Sequence, residues 1–329
     1  MDLSGSGQPL NIWAVSDGRA GIESQVLGLA EAVARLRPAA ITPKRVRFGG
    51  LYDRLPSGLK LAPERFLAPG SDPIEPPWPD LWIGAGRATL PFAVRMKRLS
   101  GGRTFVVQVQ DPRWPPHLFD LVVPPEHDGL TGANVLPITG SPHRVTPERL
   151  MAELPPFADL IAALPQPRVA VLIGGKSRSH DLSDERAEEI GAQVAAAVRE
   201  AGGSVMVTFS RRTPEEAEDI LAEALGALPG IVWRGDGPNP YFAFLAAADH
   251  ILVTEDSTNM VTEAASTGAP VSVLKMDGGS PKFARFHEGL VRQGITRPFT
   301  GRLDSWTYPP LRETDRAAEE VLGRMGMGA

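Results

Sequence analysis

The stretch Val253-Thr254-Glu255-Asp256-Ser257-Thr258-Asn259-Met260-Val261-Thr262-Glu263-Ala264-Ala265-Ser266-Thr267-Gly268-Ala269-Pro270 decides how this chain is read. Its pattern predicts a strand over 250–254, a helix over 257–267 and a second strand over 270–274, which is one β-α-β unit. Asp256 and Ser257 stand where a helix is capped, so hydroxyl residues and unpaired N–H groups crowd its positive end from Asp256 through Asn259. Such an end is a ready site for a diphosphate. Glu263 falls near the middle of the helix, where a carboxylate can accept two hydrogen bonds from the vicinal hydroxyls of a ribose. A plain capped helix explains the Ser and Thr residues but leaves Glu263 without a partner. The stretch therefore favours nucleotide binding.

Working outward, the same alternation repeats along the chain, and alternating strands and helices signal parallel sheets. The second half predicts strands over 168–173, 204–209 and 231–234 and helices over 184–201, 214–226 and 239–248. The first half opens with strand Asn11 to Ser16, a loop, and a helix from Ile22 to Leu36 whose Val26, Leu29, Ala30, Val33 and Leu36 share one face. Ile41 to Phe48, Asp80 to Ile83, Arg103 to Gln110, Phe119 to Val123 and Asn134 to Ile138 read as strands, with a helix over 88–99. Residues 49–79 give no clear element. Seven prolines between 137 and 167 mark an interdomain connection, and Asp315 to Met325 reads as a final helix. The expected domains are 1–145 and 168–310, joined by a linker over 146–167 and followed by a crossover segment over 311–329.

The loops that follow strands are where open α/β sheets bind ligands. Ser16-Asp17-Gly18-Arg19-Ala20-Gly21 turns into a helix without the GxGxxG spacing of dinucleotide folds, and Asp17 is either a helix cap or a general base. Gly84-Ala85-Gly86-Arg87-Ala88-Thr89 and Gln110-Asp111-Pro112-Arg113 are further polar turns, and His127-Asp128 pairs a neutral-pH titrating ring with a carboxylate. Gly174, Gly175, Lys176 and Ser177 lack P-loop spacing but offer flexible N–H groups, an ammonium and a hydroxyl to a phosphate. Ser210-Arg211-Arg212-Thr213-Pro214 is a candidate diphosphate clamp of two guanidiniums beside a proline-initiated helix. No metal-ligating cluster is expected, and no tightly bound cofactor.

Composition limits the alternatives. The 329 residues are 42% hydrophobic and 22% charged, an ordinary globular balance with material for two cores. Cysteine is absent, which excludes disulfides, thiolate metal sites and cysteine nucleophiles. The 34 Gly and 32 Pro demand many turns. A net charge of −5 argues against a nucleic-acid partner. The charge is uneven, however, with 17 basic against 14 acidic residues through position 150 and 17 against 25 beyond it. The basic cluster Lys44, Arg45 and Arg47 is either a solvated surface or an approach to an anionic acceptor or membrane. Met1 to Pro9 shows neither a basic start nor an apolar stretch, so no signal peptide is expected and a cytoplasmic protein, peripheral to the inner membrane at most, is the expected form.

Asp256 to Pro270 resembles the donor-binding segment of GT-B glycosyltransferases and of nucleotide-sugar 2-epimerases. The wider set of motifs is similar to the mitochondrial-fission ELM1-like family. That set comprises Ser16–Gly21 with Gln25, Gln110–Arg113, Phe119–Pro125, His127-Asp128, Pro142–Thr146, Gly174-Gly175, Ser210–Pro214, Asn239–Asp249, Asp256-Ser257 and Thr267-Gly268. The resemblance implies two Rossmann-like domains facing across a cleft, with the last helix crossing back to the first domain. It implies a nucleoside-diphosphate sugar on the second domain and an unknown acceptor. The basic excess of the first half makes a lipid-linked acceptor one option, and an inverting transfer would take its general base from Asp17, whose loop ends the first strand, or from His127 or Asp111. Plant members of the family imply a different option, a non-catalytic recruiter in membrane fission. Epimerase chemistry is the third option, although that family's His-x-Asn-Pro segment is absent from the second half.

Overall fold

The computed structural model describes residues 8–55, 59–60 and 62–328. Most of the Met1 to Pro9 stretch therefore lies outside the described residues. The chain divides into two compact units, one running to Arg144 and resuming at Arg312, the other spanning Val145–Leu311.

In chain order the first unit holds β1 (Leu10–Ser16), α1 (Ala20–Leu36), β2 (Ala39–Arg45), α2 (Gly50–Arg54), β3 (Leu81–Ala85), α3 (Leu90–Leu99), β4 (Phe105–Val109) and β5 (Leu121–Val123). The strands form one parallel sheet in the order β2-β1-β3-β4-β5. Alternate residues of β1 serve opposite faces: Leu10, Ile12 and Ala14 join one core, Trp13 and Val15 the other. Burial on both faces is why these strands read as continuous apolar runs. Asn134 to Ile138 makes only isolated bridges at Val135 and Ile138 and no strand, because Pro124 opposite it has no N–H to donate between them.

The second unit holds α4 (Pro147–Glu153), α5 (Ala158–Ala162), β6 (Arg168–Ile173), β7 (His180–Asp181), α6 (Asp184–Ala201), β8 (Ser204–Phe209), α7 (Glu215–Gly226), β9 (Gly230–Trp233), α8 (Tyr241–Ala247), β10 (His250–Thr254), α9 (Thr258–Ala265), β11 (Val271–Leu274), β12 (Asp277–Gly278), α10 (Pro281–Arg292) and β13 (Thr296–Pro298). Its main sheet is six-stranded and parallel, in the order β13-β11-β10-β6-β8-β9. Counted within the unit, that is the Rossmann order, and its direction reverses between β6 and β10. Residues 146–167 are not a bare linker. They fold as α4 and α5, with the Thr146 hydroxyl capping α4 and Ile161 buried in the core of the second unit. Of the prolines that suggested a connection, Pro147 starts α4, and Pro155 and Pro156 form a single 3-10 turn ahead of α5.

The last helix, α11 (Glu313–Arg324), belongs to the first unit. Its Ala317, Ala318, Val321 and Leu322 pack with Val26, Leu29, Ala30 and Val33 of α1 in one core. The segment before it also closes on α1: the His143 carbonyl oxygen would lie 2.2 Å from a Cβ at Gly28. His143 donates its backbone N–H to the Thr314 hydroxyl and is buried. Burial, opposed by the charge of Asp315 and reinforced by those of Arg35 and Arg312, lowers its ring pKa from 6.5 to about 4. The unfolded chain therefore takes up this proton first, and the stability held above pH 6.5 is lost as pH falls towards 4. The loss amounts to about 3 kcal/mol at most by the linkage relation. Urea unfolding of His143→Asn should show an acid-side dependence shallower by about one proton than the parent chain.

Candidate functional site

The direction reversal between β6 and β10 places two loops side by side, and the carboxylate of Asp256 joins them. One Asp256 oxygen accepts the Gly175 N–H at 3.1 Å and the Arg212 guanidinium at 2.6 Å. The other accepts the Thr254 hydroxyl at 2.8 Å, while the Thr254 oxygen accepts the Gly174 N–H at 2.7 Å. The Thr213 hydroxyl donates to the Gly174 carbonyl at 2.6 Å, and Lys176 N–H donates to the Arg212 carbonyl at 2.9 Å. The loops after β6, β8 and β10 are thus bound into one unit. Glycine is required where they meet: a Cβ on Gly174 would sit 1.9 Å from an Asp256 oxygen, and one on Gly175 would sit 2.0 Å from the Arg212 carbonyl oxygen.

This network revises three readings. Asp256 does not cap the helix; Ser257 does so alone, its hydroxyl accepting the Met260 N–H. The loop Gly174–Ser177 is not a phosphate cradle in this conformation, because the N–H groups of Gly174, Gly175, Lys176 and Ser177 all have partners within the unit. The ammonium of Lys176 binds Asp181 at 2.8 Å and holds that carboxyl below its ordinary range. Of the two clamp arginines, Arg212 is bound to Asp256, whereas Arg211 is exposed on the same loop with no ion pair among the described residues. Ser210 serves its own turn, its hydroxyl accepting the Arg212 N–H at 3.1 Å.

Helix α9 keeps what the sequence placed on it. Thr258 and Asn259 occupy its first turn, whose N–H groups a helix cannot satisfy from within. Glu263 is buried, and it does have a protein partner: the Tyr241 hydroxyl donates to one of its oxygens at 2.7 Å. Burial and the Glu263 charge push the Tyr241 phenol well above its ordinary value, so it stays a donor.

Sequence reasoning missed Thr254, Thr213 and Tyr241, and also a neighbouring group at the ends of β10 and β11. The buried Glu255 side chain accepts Lys275 Nζ at 2.7 Å and the Met276 N–H at 2.8 Å. The Glu255 carbonyl faces His287 Nε2 at 2.8 Å, and burial lowers the His287 pKa. Thr254 and Glu255 lay inside the decisive stretch, so position after a strand was the available signal.

In the first unit the strand order reverses between β1 and β3. There an Asp17 oxygen would lie 2.7 Å from a Cβ on Gly86, whose φ is +88°. Both Asp17 oxygens are bound by Arg19, at 2.7 Å through the guanidinium and 3.2 Å through the backbone N–H. Asp111 pairs with Arg113 at 3.1 Å, and His127 is buried in a separate turn after β5. Asp17 and Asp111 are therefore each bonded to their own loop's arginine and not to one another. The basic cluster is similarly engaged: Lys44 lies over the Trp13 ring, Arg45 pairs with Glu23, and Arg47 donates to the Asp17 carbonyl.

A family model described as "Mitochondrial fission ELM1" matches residues 20–325. The chain belongs to the mitochondrial fission ELM1 family. One relative, "Mitochondrial fission protein ELM1" of Arabidopsis thaliana, is 33% identical over 74% of this chain. The chain spans 63% of that relative's length. "Uncharacterized protein RP120" of Rickettsia prowazekii is 27% identical over 95% of this chain and 98% of its own length. Among solved structures, this ELM1-family chain is similar in fold to a UDP-GlcNAc 2-epimerase of Methanocaldococcus jannaschii in complex with UDP-GlcNAc and UDP. That likeness has a TM-score of 0.55 at 12% identity, covering 98% of this chain and 100% of that one. The UDP-GlcNAc 2-epimerase of Neisseria meningitidis bound to UDP-GlcNAc gives 0.50 at 14% identity, covering 96% and 91%. The fold is thus the GT-B type, built of two Rossmann-like units. No helix among the described residues is long and apolar enough to cross a membrane.

The Asp256 network generates a stability prediction. Asp256→Ala leaves the buried Gly175 N–H and Thr254 hydroxyl without their acceptor and releases a guanidinium that solvent can reach, so it should destabilise by about 1–3 kcal/mol. Urea unfolding measures the loss, and a change under about 1 kcal/mol would show that the three loops hold together without it.

Proposed function

We propose that the second unit binds a nucleoside-diphosphate sugar and that the protein transfers the sugar to an acceptor as a GT-B-type glycosyltransferase. The observation that carries the reading is α9 itself, a Ser257-capped helix where the strand order reverses, with a buried carboxylate, Glu263, within it. The diphosphate is assigned to the first turn of α9 at Ser257, Thr258 and Asn259, with Arg211 as the uncommitted cation. Glu263 is assigned to the ribose. Gly174, Gly175, Lys176, Ser210, Arg212 and Asp256 act in this reading by fixing the loops around that turn. The likeness to epimerases whose structures hold UDP-GlcNAc supports the donor class.

The helix dipole and a guanidinium can neutralise a departing diphosphate. A general base is assigned to the first unit, with Asp17 ahead of His127 and Asp111. To act, the Asp17 carboxylate must exchange its Arg19 contacts for the acceptor hydroxyl. The basic excess of the first half favours an anionic acceptor, a lipid-linked one included. The Arabidopsis relative is named a mitochondrial fission protein, which supports a second reading in which this chain serves membrane fission; we take that role as non-catalytic recruitment.

Thermal shift and isothermal titration against UDP-, GDP-, ADP- and CMP-sugars separate the two. One class should bind, and Glu263→Ala should weaken it about tenfold or more, the scale of lost charge-assisted hydrogen bonds. Absence of binding by every class at millimolar concentration overturns the donor reading and leaves recruitment. With a binding donor in hand, Asp17→Asn should retain affinity and lose turnover by about 100-fold or more. Unchanged turnover removes Asp17 from the mechanism.

A further inference from the structure

Tyr241 was given no role by the chemistry of its stretch, yet its hydroxyl meets Glu263 at 2.7 Å. Its position is set twice. The Asn239 side-chain oxygen accepts the Tyr241 N–H at 3.0 Å, and Pro240 immediately precedes α8 and accepts the Phe244 N–H at 2.8 Å. The ring then stands edge-on to Phe242, centroids 5.6 Å apart, and packs on the core that contains Val261, Ala264 and Ala265 of α9. The first residue of α8 is thereby anchored against the middle of α9.

A carboxylate at the depth of Glu263 carries a desolvation cost that leucine at the same place would avoid. Keeping it there makes sense where the charge is used. We infer that Tyr241 is a positioning residue for ribose recognition: its phenol fixes the Glu263 carboxylate in the orientation that reads the vicinal hydroxyls of a nucleotide. The inference rests on the donor-site reading above. A carboxylate offers about four acceptor sites, so one phenol and a vicinal diol can share it. The phenol proton stays in place because burial and the neighbouring charge raise its pKa well above the usual value. Tyr241 is therefore a permanent donor that cannot compete with the ribose for a proton. It also limits rotation of the carboxylate about its last bond, which removes part of the ordering cost of binding the diol.

The test is a ligand cycle rather than a single affinity. UDP, GDP and ADP are titrated into the parent chain and into Tyr241→Phe by calorimetry, each beside its 2′,3′-dideoxy analogue. The parent should bind one ribonucleotide about tenfold or more better than its dideoxy form, the scale of hydrogen bonds to a charged group. In Tyr241→Phe that preference should fall to within about twofold, while dideoxy affinity changes little. Glu263→Gln serves as the second background. Adding Tyr241→Phe to it should leave the ribose preference unaltered, since the two residues act through one carboxylate.

The failures are distinguishable. No binding of any nucleotide overturns the donor-site reading, and this inference with it. Binding without ribose preference in the parent overturns the ribose assignment while the diphosphate site stands. Equal weakening of both ligands by Tyr241→Phe shows that the tyrosine merely supports the fold. Circular dichroism melts of each variant confirm that the compared proteins are folded.

Discussion

The second unit depends on one buried carboxylate. Rossmann order brings the ends of β6 and β10 together with their helices diverging, which opens a gap at the carboxyl end of the sheet. Asp256 fills that gap and converts it into a joint among three loops. An unpaired carboxylate there would be costly, and the structure answers it with an amide N–H, a hydroxyl and a guanidinium. The hydroxyl is that of Thr254 at the end of β10, and the other two donors come from the loops after β6 and β8. The electrostatic requirement of one side chain therefore fixes the relative positions of three chain segments. Gly174 and Gly175 follow from the same demand, because any Cβ would overlap the atoms that satisfy it.

The first unit reaches a similar arrangement with the roles exchanged. Its strand order reverses between β1 and β3, and there too an aspartate lies against a glycine, Asp17 against Gly86. The difference lies in what binds the carboxylate. Asp256 is fully enclosed and cross-links distant loops, whereas Asp17 is partly exposed and bonded by Arg19 of its own turn. A local, solvent-accessible pair is weak and exchangeable, while a buried multi-loop pair is not. Chemistry that requires a carboxylate to change partners suits Asp17, and architecture suits Asp256.

The fold was largely legible because parallel strands covered on both faces leave uninterrupted apolar runs. Val169 to Ile173 and Ile251 to Val253 are such runs, and both strands formed where the pattern placed them. Elements without that signature were missed or misjudged. β7 and β12 are two residues each and exist only by pairing with one another, so no local pattern records them. Prolines 147, 155 and 156 looked like linker residues, yet proline at a helix start has the same composition as proline in a connection. The site was legible as a set of positions but not as a set of roles. Asp256, Arg212 and Gly174 were all singled out, yet whether a polar group meets a ligand or another loop depends on contacts between residues about 40–80 positions apart. Sequence spacing carries no record of such contacts.

That division of roles narrows where an anion can be held. The glycine loop has its N–H groups engaged, and Arg212 and Lys176 already face carboxylates. Beside them at this end of the sheet stand the first turn of α9 and the exposed Arg211. A smaller set of ligand groups does not make a poorer site, because preorganisation matters as much as number. The first turn of α9 begins two residues beyond Asp256, so the carboxylate that locks the loops also sets where its N–H groups point. Farther along α9, Glu263 is held by Tyr241 from a separate helix. Both ends of a bound nucleoside diphosphate would thus meet groups whose orientation is fixed before the ligand arrives. The buried polar residues of this unit are best understood as the frame for a short, rigid contact surface along one helix.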